Sequence, residues 1–292
     1  MYSNVIVGVD GQQGGRDAAA LAATLAEDGT FVTLVYVSTA AGSNRASNLD
    51  LALVDQDALP TLLVDELRAC GGDAQLERVL ATSVGAGLED AAERCNADLI
   101  VVGRSRRHGI ARLISGDDVR SVLHQTPCAV AVAPASYASK PASPRRIGVA
   151  FDLSPESEIA LAHAGLLADQ HHATLAPFHV VEPHYYAGAW GVVAVPADSP
   201  DLQLAAAAER IGRPYGLEVE LVYGSLGQEL VAFGDRVDVL VCGSRRNGLA
   251  RRIALGSTSE YLAGHVSTPL VITPVLDTAS VERWRAQRRA AA

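Results

Sequence analysis

Residues 4–26 read NVIVGVDGQQGGRDAAALAATLA, and residues 145–168 repeat the pattern as RRIGVAFDLSPESEIALAHAGLLA. In each copy a short apolar run ends at an aspartate, Asp10 in the first and Asp152 in the second. An Ala- and Leu-rich stretch of helical length follows. This order is typical of a buried strand joined to a crossover helix. The repeat therefore predicts two similar α/β halves.

Three more pairs of segments repeat in the same order, again about 140 residues apart. TFVTLVYV (30–37) matches ATLAPFHV (173–180), ADLIVVGRSRR (97–107) matches VDVLVCGSRR (237–246), and TPCAVAVAP (126–134) matches TPLVITP (268–274). Four matched segments in one order indicate a gene duplication. The length of 292 residues also suits two domains.

Apolar runs of strand length alternate with helix-like stretches in both halves. We predict strands near 4–10, 30–37, 73–80, 98–103 and 128–133, and again near 146–152, 173–181, 217–223, 238–243 and 269–274. Each half is then an α/β, Rossmann-like domain with five mostly parallel strands flanked by helices. Ligands of such open sheets bind outside the carboxyl ends of the strands.

The domain boundaries follow from composition. We predict a first domain over 1–135, a linker over 136–144 where prolines mix with small polar residues, a second domain over 145–276, and a C-terminal tail over 277–292. We predict that the tail is solvated on the surface, the alternative being a short basic helix anchored by Trp284.

Two segments, 40–50 and 183–200, are rich in Gly, Ser, Ala and Pro and are predicted to be irregular flaps. In the second, Tyr185, Tyr186 and Trp190 are amphipathic aromatics, which suit either a cover over a bound base or a surface for a partner.

Charge and cysteine content exclude several classes of function. The net charge of −9 disfavours nucleic acid and anionic membranes as partners. There is no leading basic and apolar segment and no membrane-length apolar run, so we expect a cytoplasmic protein. The four cysteines are widely spaced, which favours reduced thiols over a disulfide or metal site.

The segment most informative about function is CGSRRNGLARRIALGSTSEYLAGH, from Cys242 to His265. Within it, Gly256 and the hydroxyl residues Ser257, Thr258 and Ser259 open a predicted helix. Backbone N–H groups and hydroxyls would converge at the positive end of that helix. Phosphate is the natural ligand of such a site.

With these residues the chain resembles the tandem universal stress proteins. That family carries a G-x-x-G-(nine residues)-G-[S/T] segment that cradles the ribose and phosphates of ATP, and Gly243, Arg246, Gly256 and Ser257 occupy its four fixed positions. The resemblance implies an adenine nucleotide α-hydrolase-like fold in each half. It also implies that Asp152 and Val180 contact adenine. The complete predicted second-half site is Asp152, Val180, Gly243, Arg245, Arg246, Gly256, Ser257, Thr258 and Ser259.

Arg246 departs from the family pattern, because it replaces the second glycine. Its long side chain would either block the close approach of a ligand or pair with a phosphate. The resemblance implies ATP, or else ADP or AMP, with Mg²⁺ accompanying the phosphates.

The first half keeps only part of the pattern. Asp10, Val37, Gly103 and Gly116 match the second-half positions, but Arg106 replaces the second glycine and Asp117 replaces the hydroxyl residue. An aspartate at a helix N-terminus can cap the donors that would otherwise hold phosphate. We expect the first half to hold a nucleoside or a weakly bound nucleotide, and the second half to be the better site.

Purely structural roles are open for the same residues. Asp10 and Asp152 could form turns, and the glycines and hydroxyl residues could end strands and cap helices. The same loop of both halves carries an arginine cluster, which indicates either a local anion site or a solvated loop. The clusters are Arg104, Arg106, Arg107 and Arg112, and Arg245, Arg246, Arg251 and Arg252.

The leading hypothesis is a nucleotide-responsive regulatory protein of the stress response. We find no Gly-Lys-Ser/Thr phosphate loop, G-x-S-x-G elbow or H-E-x-x-H helix, so we name no catalytic residue and expect at most slow ATP hydrolysis. The alternatives are a nucleotide-independent scaffold that acts through partners, and an adenylyl transferase, although no HxGH pair is present.

The resemblance also has implications for assembly. It implies that the last strands, CAVAVAP and PLVITP, pair the two halves as a pseudo-dimer. Because an exposed edge strand would invite pairing with another chain, we also expect a homodimer of chains.

Overall fold

The computed structural model describes residues 1–10, 12–27, 29–39, 64, 73–104, 126, 128–182, 185–188, 191–194, 200–212, 217–244, 257–274 and 277–291. Within these residues the chain forms twelve strands and seven α-helices. All ten predicted strands are present, with ends that differ by up to three residues from the predicted bounds.

The first half contains five strands and two described helices. In chain order they are β1 (Asn4–Val9), α1 (Gln13–Leu25), β2 (Phe31–Thr39), β3 (Asp73–Ala81), α2 (Val84–Arg94), β4 (Leu99–Gly103) and β5 (Ala129–Ala133). A short 3₁₀ turn, Tyr137–Ser139, follows in the predicted linker.

The second half repeats this order with additions. It comprises β6 (Arg146–Ala150), α3 (Pro155–His171), β7 (Thr174–Val181), β8 (Tyr185–Gly188), β9 (Gly191–Ala194), α4 (Pro200–Gly212), β10 (Glu220–Tyr223), α5 (Leu226–Gly234), β11 (Val239–Gly243), α6 (Ser257–His265), β12 (Leu270–Thr273) and α7 (Thr278–Ala291).

Ten of the strands form a single sheet in the order β10-β7-β6-β11-β12-β5-β4-β1-β2-β3. Within this sheet, all strand pairs inside each half are parallel. The strand order reverses between β6 and β11 in the second half and between β1 and β4 in the first. Such reversals create the crevice in which doubly wound sheets bind their ligands.

The two halves join through the antiparallel pair of β5 and β12, as predicted for the pseudo-dimer. Val130 lies opposite Ile272, Ala131 opposite Val271, and Val132 opposite Leu270. Every residue of both strands is buried. The sheet therefore continues from one half into the other without a break.

Apolar side chains alternate between the two faces of this sheet, so each face has its own core. On β1, Val7 belongs to one core and Ile6 to the other. The first core also contains Leu161 of α3, and the second contains Leu262 of α6. Both cores include residues of both halves, which makes them continuous across the β5–β12 junction. None of the described helices is long and apolar enough to cross a membrane.

The predicted linker packs on helix α1. Asp17 of α1 is buried, and its two carboxylate oxygens accept hydrogen bonds from the backbone N–H groups of Ser136 (2.8 Å) and Ala138 (2.9 Å). The Tyr137 hydroxyl donates to Thr24 Oγ1 at 3.2 Å. These contacts tie the segment after β5 to the first helix of its own half.

The prediction of a solvated C-terminal tail is wrong. Residues 278–291 form helix α7, which packs on α3. Trp284 is only 5% exposed and lies so close to Gly165 that a methyl group there would overlap the indole. The tail packs as a helix because the large apolar side chain of Trp284 is buried in the space that Gly165 leaves on α3.

A buried chain of hydrogen bonds fixes the start of this helix. Asp277 Oδ2 lies 2.7 Å from His163 Nε2, and His163 Nδ1 lies 3.3 Å from the hydroxyl of Tyr2. Asp277 Oδ1 also accepts from the Ser280 N–H at 3.0 Å. The residues that precede β1 and α7 are thereby linked to helix α3 through His163.

The prediction that 183–200 is irregular is also wrong in part. Strands β8 and β9 form a two-stranded antiparallel sheet within this segment. Tyr185 and Tyr186 lie in β8, whereas Trp190 and the other flap, 40–50, lie outside the described residues.

Replacing Trp284 with alanine should detach α7 from α3. We expect a loss of about 3 kcal/mol of unfolding free energy, because a buried aromatic side chain leaves a cavity. Urea denaturation measures it. Gln287→Ala, an exposed change on the same helix, should alter stability by less than about 0.5 kcal/mol. Equal stabilities of the two variants would contradict this packing.

Asp277 should also make the free energy of unfolding depend on pH in the acidic range. Burial alone would raise the pKa of its carboxyl. The hydrogen bonds from His163 and Ser280 lower this pKa by more than burial raises it, so the net pKa lies below the usual value. A depressed folded-state pKa stabilises the protein above about pH 4, and that contribution is lost as pH falls below it.

We therefore expect Asp277→Asn to reduce the loss of unfolding free energy between pH 6 and pH 3 by roughly 1 kcal/mol. Urea midpoints at both pH values give this difference. Asp90→Asn, a change of an exposed carboxylate on α2, should keep the wild-type acid dependence. An identical acid dependence in Asp277→Asn and the wild type would refute the prediction.

Candidate functional site

A cavity of about 600 Å³ opens at the carboxyl ends of β6, β7 and β11, where the strand order of the second half reverses. Helices α4 and α5 and the first turns of α3 and α6 complete its walls. Its lining residues are Ala150, Phe151, Asp152, Ser154, Glu156, Ser157, Phe178, His179, Val180, Val181, Glu182, Gln203, Ala206, Ala207, Leu226, Leu230, Cys242, Gly243, Thr258 and Ser259.

Five of the residues predicted for the second-half site line this cavity. They are Asp152, Val180, Gly243, Thr258 and Ser259. Ser257 is exposed at the first position of α6, next to them in the chain. The predicted Arg245, Arg246 and Gly256 lie outside the described residues, as do Arg251 and Arg252 of the same arginine cluster.

Asp152 combines exposure to the cavity with a structural role. Its Oδ1 accepts from the Ser154 N–H at 2.9 Å, which makes the turn that leads into α3. Ser154 in turn caps α3 by accepting from the Ser157 N–H at 3.2 Å. Burial raises the pKa of Asp152, but hydrogen bonds from Ser154 and Ser157 and the nearby His179 lower it more. The net pKa is below the usual value, so the carboxylate is an ionised acceptor at neutral pH.

The glycines that end β4 and β11 are required by packing. A Cβ on Gly243 would lie 2.7 Å from the carbonyl oxygen of Glu156 in the first turn of α3. A Cβ on Gly103 would overlap the carbonyl oxygen of Gly14 at the equivalent place on α1. Glycine is therefore needed at both strand ends because a helix of the same half packs on them, and Gly243 also lines the cavity.

Sequence reasoning missed several polar residues of the cavity wall. His179 Nδ1 donates to the carbonyl oxygen of Phe151 at 2.8 Å, which holds the imidazole beside the end of β6. Glu182 follows β7 and accepts from the Leu226 N–H at the start of α5 at 3.4 Å. Glu156 adds a third carboxylate to those of Asp152 and Glu182. A signal for Glu182 was available, since it directly follows a strand at its carboxyl end.

The first half places its predicted residues differently. Asp10 Oδ1 accepts from the Gln12 N–H at 3.0 Å, so it forms the same turn as Asp152. Val37 packs so closely on helix α2 that a Cβ on Gly87 would lie 2.6 Å from its Cγ1. Gly116, Arg106 and Asp117, with Arg107 and Arg112 of the arginine cluster, lie outside the described residues.

Arg104 does not serve the anion site that the arginine cluster suggested. Its Nη2 donates to the carbonyl oxygens of Ala263 (3.0 Å) and Val266 (2.6 Å), at the C-terminal end of α6 in the other half. A cation at that end of a helix stabilises its last carbonyl groups. Burial lowers the pKa of this guanidinium.

Comparison with known families agrees with this architecture. The model of the universal stress protein family matches residues 1–134 and again residues 144–274. The chain belongs to the universal stress protein family. Its two matches make it a tandem member, as the sequence repeat predicted, and the mostly parallel α/β sheet of each half is the fold expected of this family.

Solved structures show the same fold over nearly the whole chain. A universal stress protein from Archaeoglobus fulgidus DSM 4304 is 17% identical, with a TM-score of 0.66, over 93% of this chain and 96% of its own. A putative universal stress protein from Pseudomonas aeruginosa UCBPP-PA14 is 15% identical, with a TM-score of 0.65, over 98% and 97%. Comparison with curated proteins finds no match.

The strand-end glycines of this universal stress protein lend themselves to a matched test. Gly103→Ala should destabilise the chain by about 2 kcal/mol or more, because the new methyl group meets backbone that must move. Gly234→Ala is the control, since its Cβ would come no closer than 3.4 Å to other atoms. Thermal and urea denaturation compare the two, and a fully stable Gly103→Ala protein would show that β4 and α1 are not packed in this way.

Proposed function

We propose that the second half binds an adenine nucleotide and that this binding makes the protein a nucleotide-responsive regulator of the stress response. ATP is the proposed ligand, with ADP and AMP as the other adenine nucleotides to test. The observation that carries the proposal is the cavity that gathers Asp152, Val180, Gly243, Thr258 and Ser259 at the reversal point of the sheet. Its volume is that of a typical small-molecule site.

Part of the cavity lining suits a flat, largely apolar base. Apolar surface comes from Ala150, Phe178, Val180 and Leu230 on one face of the sheet and from Ala207 on the other, and all but Ala150 are buried. The Asp152 carboxylate, which follows β6, is an acceptor in the same lining. An amino or hydroxyl group on the ligand would donate to it. Adenine and ribose both offer such donors.

Another part of the lining suits phosphate. Helix α6 begins there with Ser257, Thr258 and Ser259, whose hydroxyls and N–H groups lie at the positive end of the helix. Helix α3 also begins at the cavity, but Glu156 and Glu158 in its first turn already complement its dipole. The phosphates therefore belong at α6, where Arg245 and Arg246 follow β11 in the chain and would pair with them.

Mg²⁺ would accompany the phosphates and supply charge neutralisation when bound. No group of three or more His, Cys, Asp or Glu side chains within the described ranges is placed to hold a metal ion. We propose that the phosphate oxygens and water provide most of its ligands, which is the usual mode of Mg²⁺ binding to nucleotides. Asp152, Glu156 or Glu182 would add one carboxylate.

A nucleotide-independent scaffold is the second candidate. The observation that favours it is that Asp152 and Gly243 both have structural duties, the first in a turn and the second against Glu156. In either case we propose regulation through binding, and if the site does bind ATP, slow ATP hydrolysis is the most catalysis to be expected.

We also propose a homodimer of chains in the cytoplasm. Strands β5 and β12 pair with each other inside one chain, so a homodimer must use another surface. Cys95, Cys128 and Cys242 are free thiols, which suits a reducing compartment. Light scattering of the purified protein measures the mass of the assembly.

Titration calorimetry of nucleotide-stripped protein with Mg-ATP tests the proposed site. Ala206 is exposed on α4 and lines the cavity, so Ala206→Trp should fill it and abolish saturable binding. Ala208→Trp makes the same change at an exposed residue that does not line the cavity, and it should bind like the wild type.

A lack of binding by the wild type would contradict the proposal. If ATP, ADP and AMP give the wild type no heat and no rise in melting temperature, nucleotide binding is rejected, because a bound ligand must stabilise the folded state. The scaffold then becomes the better account.

A further inference from the structure

Helix α6 is a short element with three separate points of attachment. Its first turn lines the cavity with Thr258 and Ser259. Its middle packs on α5, where the ring of Tyr261 lies so close to Gly227 that a Cβ there would be 2.8 Å from it. Its C-terminal end is the third point, and this one belongs to the other half of the chain.

The third attachment consists of the side chain of Arg104. This residue follows β4, and its backbone N–H donates to the carbonyl oxygen of Ala133 at the end of β5. Its guanidinium crosses the β5–β12 junction to the carbonyl oxygens of Ala263 and Val266. Its Nε is buried and has no hydrogen-bond partner among the described residues. Within the described ranges, the hydrogen bonds of the guanidinium thus go to α6 of the other half.

Building on the nucleotide site proposed above, we propose that Arg104 of the first half is a positioning residue for the nucleotide site of the second half. It holds the C-terminal end of α6 and thereby sets where the N-terminal hydroxyls and N–H groups of that helix stand in the cavity. The second-half site is then incomplete without a first-half side chain.

The dimensions of α6 explain why a contact at one end would be felt at the other. Nine helical residues span about 13 Å and move as one short rod. The last carbonyl groups of a helix have no partner inside it, so removing the Arg104 donor leaves two of them unsatisfied at a half-buried place. The end would shift or fray, and Thr258 and Ser259 at the other end would lose their fixed position.

The equivalent position in the second half makes no such contact with the part of the chain that the structure describes. Ser244 follows β11 just as Arg104 follows β4, but its side chain is short and fully buried. Its Oγ has no hydrogen-bond partner within the described ranges. Among the described residues the contact thus runs from the first half to α6. This direction agrees with the second half being the better nucleotide site.

Calorimetric titration of the full chain with Mg-ATP, well below the melting temperature, tests the role of Arg104. We expect Arg104→Met to weaken ATP binding about three- to tenfold, and Arg104→Lys to lie between it and the wild type, because lysine keeps the charge but loses the planar fork. Arg94→Met is the matched control. Arg94 pairs with Glu77 and Asp90 in the first half, so this variant should bind like the wild type.

A second measurement on the wild type guards against a variant that does not fold. Coupling between the two ends of α6 is reciprocal, so Mg-ATP should slow amide hydrogen exchange at residues 262–266 as well as at the first turn. Exchange in α2 serves as the internal reference. Slower exchange at the first turn alone would overturn the inference.

The possible outcomes distinguish a failure of the role of Arg104 from a failure of the proposed nucleotide binding. Wild-type binding that is weakened in Arg104→Met and kept in Arg94→Met supports the positioning role. Wild-type binding that is unchanged in Arg104→Met rejects the role of Arg104 and leaves the nucleotide site standing. No binding by the wild type rejects the nucleotide site, and the inference with it.

Discussion

The antiparallel pairing of β5 with β12 is the constraint on which the rest of the molecule depends. Both strands are buried, so neither half could keep its last strand in water without exposing an apolar edge. Pairing them inside one chain makes a single sheet with two cores that extend through both halves. Each half therefore contributes to the stability of the other, although their sequences have diverged.

Duplication supplies the symmetry, and the segments after the last strands break it. The residues that follow β5 form a short turn held by Asp17 on α1, whereas those that follow β12 form helix α7 on α3. Both segments cover the first helix of their own half. The first does so with polar backbone contacts and the second with a buried tryptophan, because α3 offers a glycine where the indole lies.

The features of the fold and of the candidate site that could be predicted are those set by local sequence patterns. Apolar runs of strand length fixed all ten sheet strands, and the repeat placed Asp152, Val180 and Gly243 at strand ends that had to converge. Trp284 was misjudged because its recess is made by Gly165, far away in the sequence. The contact of Arg104 was missed because it is made with backbone carbonyl groups of the other half. Nothing in the residues around Arg104 distinguishes such an arginine from one that binds an anion.

The positions proposed for ligand binding are also packing positions, and this overlap has a physical cause. Where parallel strands end beside helix N-termini, the chain must turn sharply, so glycine and turn-forming aspartate are needed there whether or not a ligand is present. Gly103 and Asp10 keep these roles in the first half, where Asp117 replaces the hydroxyl residue. Retention of a glycine or an aspartate therefore says little about binding. The proposal of a phosphate site in the second half therefore depends on the hydroxyl residues that open α6, where the first half carries Asp117 in place of the first of them.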